Sequence, residues 1–498
     1  MRLEIFHYHD RPGGVRQVIS RGLVPLVTRL GGVRDVVLLM GETTDAAWVR
    51  GLESLLLGVP LRVIIHPDFG YLSGPLQKIG AEARKLADGA LSGRDVLVWA
   101  HNLSVGRNLP LLVQLPEWCA GAGARLWLHH HDWWWDGRWA RWADWQAAGI
   151  FDLKEALELS VPTGPHIRHW CVNLADLPWL QIRAGRSAQW VGNPLPEPSL
   201  PHKSEIINAA NWLHSRSSGR RVWLAPVRAL RRKNLAEAIL LAQQQSEATC
   251  VITTGGPGSI AEVPAWEALC QAAARHHWPF VPAVLAPTAI RQRSSNRASL
   301  TRVPSLPALL AASDAVVMPS LQEGFGLPYL EAAAYDKPLL ARALPGVAAN
   351  LAALGCSLRG SYDRLPVSLG SFNAEHETTR LTGLRRILQS KLPIELTTDM
   401  ESASIGGDDF GTLTLKAQLE VLQSKDSFPS VPSGPQVPLW PAGSRVDSWV
   451  ERFFKTCFNQ DQNPAGPQTT QVRSAPPSIL PEVVCRFHYW RDHPLLWP

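Results

Sequence analysis

Cysteine is scarce in this chain: seven residues in 498, scattered from Cys119 to Cys485 with no CxxC pair. That pattern excludes the disulfide frameworks of small secreted domains and the usual cysteine-based zinc sites. An odd, dispersed set reads instead as reduced thiols packed as small hydrophobes. Long hydrophobic runs are also absent, and no uninterrupted apolar stretch has the length a bilayer span requires. No lysine- and arginine-rich block and no RNA-binding signature occurs, so nucleic acid is not an expected partner, although the formal charge is +6 and the pI about 9.0. The excess positive charge suits an anionic ligand or an anionic membrane surface. The opening residues, Met1 to His9, read as a first strand interrupted by charge and not as a signal peptide. The expected location is cytoplasmic, with peripheral association at the inner face of a membrane left open. No internal repeat is evident.

What is present is a chain long enough for two hydrophobic cores, 45% apolar and unusually rich in tryptophan, with 21 residues. Several tryptophans fall between Trp133 and Trp142, where they either stack on sugar faces or fill a core.

The most informative stretch is 320–334, SLQEGFGLPYLEAAA. Asp314 to Pro319 before it reads as a short buried strand, and Pro328 sits where a first-turn proline is tolerated. Strand, glycine loop and helix in that order leave free backbone N–H groups above the strand's carboxyl end, a setting that attracts phosphates. Gly324 and Gly326 let the main chain approach a ligand closely. Glu323 and Glu331 flank the helix start, and each carboxylate can accept two hydroxyl donors, such as a ribose diol or sugar hydroxyls. The alternative is an acidic helix start with a capping carboxylate.

EGFGLPYLE, two glutamates with seven residues between them, together with the preceding Pro-Ser and the following Lys337-Pro338, resembles the E-x7-E signature of the retaining nucleotide-sugar glycosyltransferases of GT-B fold (glycosyl transferases group 1). The resemblance covers roughly residues 1–341. It implies an α/β fold class with two Rossmann-like doubly wound domains facing a cleft. It also implies hexose transfer from a nucleotide diphosphate-sugar to an acceptor hydroxyl with retention of configuration. Neither a cofactor nor a metal is expected. The partners are a nucleotide-sugar donor, acting as co-substrate, and a saccharide or lipid-linked acceptor.

The amino-terminal half alternates strands (35–39, 61–65, 95–99, 125–128) with helices, the pattern of a mostly parallel sheet that binds ligands at its carboxyl edge. Gly13 and Gly14 lie between the first strand and an amphipathic helix, and the resemblance places them near the donor diphosphate and the acceptor. At the end of a later strand stands His129-His130-His131-Asp132. Alternation along a strand lets only His129 and His131 point together, which leaves a metal pair, structural histidines or a cleft histidine as readings. The resemblance implies a histidine–acid pair beside the transferred sugar: His131-Asp132, with His129 as competitor. Asn193-Pro194 and the prolines after it read as an interdomain connector.

In the second half, Arg228 and Lys233 follow the strand Arg221–Ala225. The bland reading is a solvated cationic surface. The resemblance matches them to the family's R-x4-K pair, which grips the diphosphate. Fixed cations stabilise a leaving diphosphate most as its charge develops. The catalytic set that the resemblance implies is His131, Glu323, Arg228 and Lys233. The donor-binding set it implies is Gly13, Gly14, Gly324, Phe325, Gly326, Leu327 and Glu331. The expected domains are an acceptor domain 1–195, a linker 196–204, a donor domain 205–430, a late helix 431–460 crossing back toward the first domain, and a proline- and aromatic-rich tail 461–498. The rival readings are a nucleotide-sugar epimerase or phosphorylase on the same fold, and a non-catalytic sugar-nucleotide binder.

Overall fold

The structure is a computed structural model describing residues 1–11, 13–43, 45–72, 79–93, 95–194, 201–285, 303–397, 400, 409–424, 435–436, 438 and 480–497. Two sheets organise it, both parallel throughout. The first runs β3-β2-β1-β4-β5-β6-β7, from β1 (Arg2–Phe6), β2 (Asp35–Met40), β3 (Leu61–Ile65), β4 (Val96–His101), β5 (Arg125–His130), β6 (Ile167–Cys171) and β7 (Ala188–Trp190). The second runs β10-β9-β8-β11-β12-β13, from β8 (Arg221–Ala225), β9 (Thr249–Thr253), β10 (Phe280–Val281), β11 (Ala315–Met318), β12 (Leu339–Arg342) and β13 (Ser361–Tyr362). This is the two-domain, doubly wound α/β class that the alternation implied.

Both faces of the first sheet are covered, as a parallel sheet requires. On β2, Val36, Leu38 and Met40 enter one core and Val37 and Leu39 the other. The second sheet organises a separate core around β8, β9 and β11. Tryptophans 133, 134, 135, 139, 142 and 145 are all buried in the first domain, so the sugar-stacking alternative is closed for them. Their rings pack on each other, Trp133 on Trp135 at 5.0 Å and Trp134 on Trp142 at 6.1 Å.

The tail supplies a helix, Leu480–Arg491, docked on the same cluster: Phe487 meets Trp139 edge-on at 5.3 Å. The expected late helix around Val446–Phe454 and most of the linker (residues 196–200) lie outside the described residues. Lys203, at the end of the expected linker, already opens a helix, Lys203–Ser217. The loss of alternation after Pro366 hides one long helix, Ala374–Gln389. Among the described residues, no helix is long and apolar enough to cross a membrane.

Candidate functional site

The site forms where the loop after β11 meets the turn after β8. The turn, Val227 to Asn234, is pinned from below. Ala229 N–H donates to the Gly256 carbonyl at 2.9 Å, and a Cβ on Gly255 would come within 2.9 Å of Arg228 Cα. Gly255 is therefore required by a close approach of two main chains. Asn234 ends the turn in the left-handed region, φ 49°, and starts the helix Leu235–Gln243.

Lys233 Nζ donates to Glu323 Oε1 across 90 residues of sequence, with side chains only 9% and 8% exposed. Arg232 stands 3.7 Å from the other carboxylate oxygen and donates to the Gln322 carbonyl, while Leu321 N–H donates to the Arg232 carbonyl at 2.8 Å. Burial pulls the Lys233 ammonium down to about 8, with Glu323 opposing. Burial works against the Glu323 carboxylate, but Lys233 and Arg232 outweigh it and hold the carboxyl below its usual range. At neutral pH the pair is charged on both sides. Arg228 stands at the turn's rim, exposed as a residue, and its guanidinium is pulled down first by its partial burial and then by the Arg232 charge.

Past Glu323 the loop presses on the first domain. A Cβ on Gly324 would lie 3.3 Å from the His131 carbonyl and 3.5 Å from Asp132 Oδ1, so the glycine lets the two walls touch. Gln322 reaches across to donate to the Asp136 carbonyl at 2.8 Å. Phe325 is buried, its ring against Gly192, and contributes packing between domains. Gly326 has φ +92°, and a Cβ there would come within 2.6 Å of Val347, so the turn into the helix Leu327–Ala334 requires glycine. Leu327 opens that helix. Glu331, one turn on, has its carboxyl raised by burial and eased back by Arg21 of the first-domain helix Gly14–Leu30. Gly13 caps and Gly14 begins that same helix. Neither has atoms crowding a Cβ within 3.4 Å, which leaves open space above them.

His131 is joined to Asp132 in sequence, and Asp132 pairs with Arg138 at 3.0 Å. Burial pulls the His131 imidazole down to about 4, so it is neutral near neutral pH. The three rings of His101, His129 and His131 bring one nitrogen each within 4.8 Å of one another, a spacing compatible with a metal. Their protons argue otherwise. The Trp99 indole donates to His129 Nδ1 at 3.2 Å, which puts the His129 proton on Nε2 and leaves no free lone pair. His101 Nδ1 and His131 Nε2 are engaged with each other at 3.2 Å. Burial disfavours the charged form of all three rings; His101 Nε2 and His129 Nε2 have no hydrogen-bond partner among the described residues, and His129, fully buried, lies behind His131.

The site therefore brings together Lys233, Glu323, Gly324 and His131, with Arg228 at the rim. Glu331 sits a turn away, facing Arg21. Sequence reasoning missed Arg232, Gln322 and Asn350. Asn350 accepts from Leu174 N–H at 2.7 Å and donates to the Phe325 carbonyl at 3.4 Å, tying the glycine loop to the first domain. The run of four cations pointed to Arg232; polar residues such as Gln322 and Asn350 carry no such signal.

Two doubly wound parallel domains meeting at a cleft, with a cationic turn paired to a glutamate–glycine loop, make up an arrangement of GT-B type. Residues 233–355, which carry Lys233, Glu323, the glycine loop and Glu331, match the model of glycosyl transferases group 1. It is 24% identical over 358 residues to mannosylglucosyl-3-phosphoglycerate synthase of Petrotoga mobilis, covering 69% of this chain and 65% of that protein, less than two thirds of its length. Among solved structures it is similar to Anabaena HepE in complex with UDP and glucose (TM-score 0.49, 18% identity, 70% of this chain and 83% of that one). It is also similar to a UDP-forming trehalose-phosphate synthase from Burkholderia vietnamiensis (TM-score 0.41, 13% identity, 71% and 87%).

Proposed function

We propose that the protein transfers a hexose from a nucleotide diphosphate-sugar to an acceptor hydroxyl, with retention of configuration and without a required metal. The observation that carries this reading is the Lys233–Glu323 pair, buried beneath the cationic turn and pressed through Gly324 against His131. In this reading Arg228, Arg232 and Lys233 receive the donor's diphosphate and meet the charge that grows on it as the glycosidic bond breaks, the task a metal ion performs elsewhere. Glu323 keeps Lys233 protonated in a setting that would otherwise favour the neutral amine. Glu331 accepts ribose hydroxyls, and the backbone at Gly13 and Gly14 leaves room for ligand to approach. His131, neutral, contributes its ring and carbonyl beside the sugar and does not act as a nucleophile. Attack comes from the face the diphosphate leaves, through an oxocarbenium-like ion pair, and the departing phosphate takes the acceptor's proton. The synthase name of the Petrotoga relative, that of a phosphoglycerate glycoside producer, supports sugar transfer.

The test begins with thermal stabilisation of the full chain against a panel of nucleotide-sugars, since a ligand that binds only the folded state raises the melting point. Turnover of the stabilising donor then follows. Arg228→Ala, Lys233→Ala and Glu323→Ala should each lower turnover on the order of 10²-fold. Turnover at the wild-type rate in any of the three would remove the assigned role, and an inverted anomer in the product would remove retention.

A further inference from the structure

The first-domain wall of the cleft carries positive charge of its own, apart from the cationic turn after β8. Arg107 follows β4 and the short turn Leu103–Val105, at the carboxyl edge where parallel sheets receive ligands. Its carbonyl accepts from Leu72 N–H at 2.8 Å, which draws Tyr71 alongside, and its guanidinium stands 5.2 Å from the centre of the Tyr71 ring. The Tyr71 hydroxyl is 3.0 Å from His9 Nε2, and the residue is 50% exposed. Arg141 and Arg138 stand beside this group. Burial and the neighbouring Arg107 charge both weigh on the Arg141 guanidinium, and Tyr71 is near enough to act electrostatically on Arg141 and on Arg228 of the opposite wall.

The charges do not balance locally. Arg138 pairs with Asp132 at 3.0 Å and Arg141 with Asp144 at 2.8 Å. On the facing wall, Arg231 stands 3.4 Å from Glu262, and Lys233 and Arg232 share Glu323. Among the described residues Arg107 and Arg228 have no carboxylate partner, one on each wall. A diphosphate answers Arg228 and the surplus at Arg232 and Lys233. Among the described residues no carboxylate answers Arg107, whose guanidinium meets only the Tyr71 ring. Like charges on facing walls repel unless an anion enters between them, and the flat guanidinium fork suits a carboxylate or phosphate.

We propose that Arg107, flanked by Arg141 and Tyr71, is an acceptor-anion site, so that the acceptor is a small acidic molecule carrying a phosphate or carboxylate near its reacting hydroxyl. This rests on the transferase reading for the word acceptor, but the anion site itself is measurable without it. The probes are glucose 6-phosphate, 3-phosphoglycerate and neutral glucose, titrated calorimetrically into the full chain with and without UDP. The anionic probes bind more tightly than glucose, by about tenfold or more. Arg107→Ala removes about tenfold of that affinity, the size of one charge-assisted contact, while the Kd for UDP moves less than about twofold. Arg107→Lys restores part of the loss, because it returns charge without the fork. Should Arg107→Ala melt early, Arg141→Gln serves as the second variant, with the same expected split between anionic probe and UDP.

Equal binding of glucose and glucose 6-phosphate overturns the proposal. So does an Arg107→Ala protein that loses UDP and the anionic probes alike, which would put Arg107 in the donor site. If UDP fails to bind while the anions still depend on Arg107, the donor reading falls and the anion site stands. If UDP binds and the anions do not, the outcome is the reverse.

Discussion

Lys233 and Glu323 show how a site is built from two charges that would each be costly alone. Separately, either side chain would be driven toward neutrality by burial; together, each keeps the other ionised. Because burial brings the Lys233 ammonium to about 8, kcat/KM for the donor should fall along an alkaline limb near that value, and Lys233→Arg should abolish the limb. Glu323→Gln removes the charge that holds Lys233 up, so the limb should move to lower pH; a pH–rate profile reads both. Glu4 is the opposite case. It is fully buried on β1, neither carboxylate oxygen has a hydrogen-bond partner among the described residues, and burial raises its carboxyl to about 8. The folded state then holds a proton that the unfolded state has released above about pH 4.5, so this residue's contribution worsens as pH rises from there to about 8. Glu4→Leu should raise the melting temperature, and by more at pH 8 than at pH 5, with a gain on the order of a few kcal/mol at the higher pH. At this scale the sequence was legible wherever charge type and spacing were constrained together, as in R-x4-K and E-x7-E. Arg107, Gln322 and Asn350 look in sequence like any surface polar residue, since only the meeting of the two domains gives them a task.

The elements divide according to how much of their stability is local. β11 and the helix Leu327–Ala334 could be read from an apolar run, two glycines and a first-turn proline, because backbone geometry itself demands those residues. Gly326 states the demand most strongly. With φ +92° and Val347 at 2.6 Å from any Cβ, Gly326→Ala should destabilise the domain by about 1–3 kcal/mol and disturb the loop that carries Glu323, measurable as a lower melting temperature together with weaker donor binding. The helix Ala374–Gln389 was not legible. Its sequence is rich in charge with a sparse apolar stripe, and its buried contacts include a polar one, Glu377 accepting from the Thr414 hydroxyl at 2.6 Å. The triple histidine was half legible. Strand alternation separated His130 from its neighbours, whereas the Trp99 hydrogen bond that fixes the His129 tautomer comes from the adjacent strand β4 and leaves no mark in the local sequence.

Across the whole molecule, the carboxyl-terminal helix spans both domains. Arg486 donates to both Asp136 oxygens at 2.8 and 2.9 Å and also pairs with Asp176, while the Tyr489 hydroxyl donates to the Leu321 carbonyl at 2.6 Å, two residues before Glu323. Arg486→Ala strands two acids in a poorly hydrated setting and should cost about 3–5 kcal/mol in chemical denaturation; Arg486→Lys should recover only part of it. The sequence offered aromatic anchors in this tail but no sign of where they would land, because the partner is a tryptophan cluster more than 300 positions earlier. That cluster has a spectroscopic consequence. Indoles held 5 to 6 Å apart at fixed angles couple their electronic transitions, so the protein should show an intense near-ultraviolet dichroism, and release of the tail from Trp139 should dim it while the far-ultraviolet signal is largely kept.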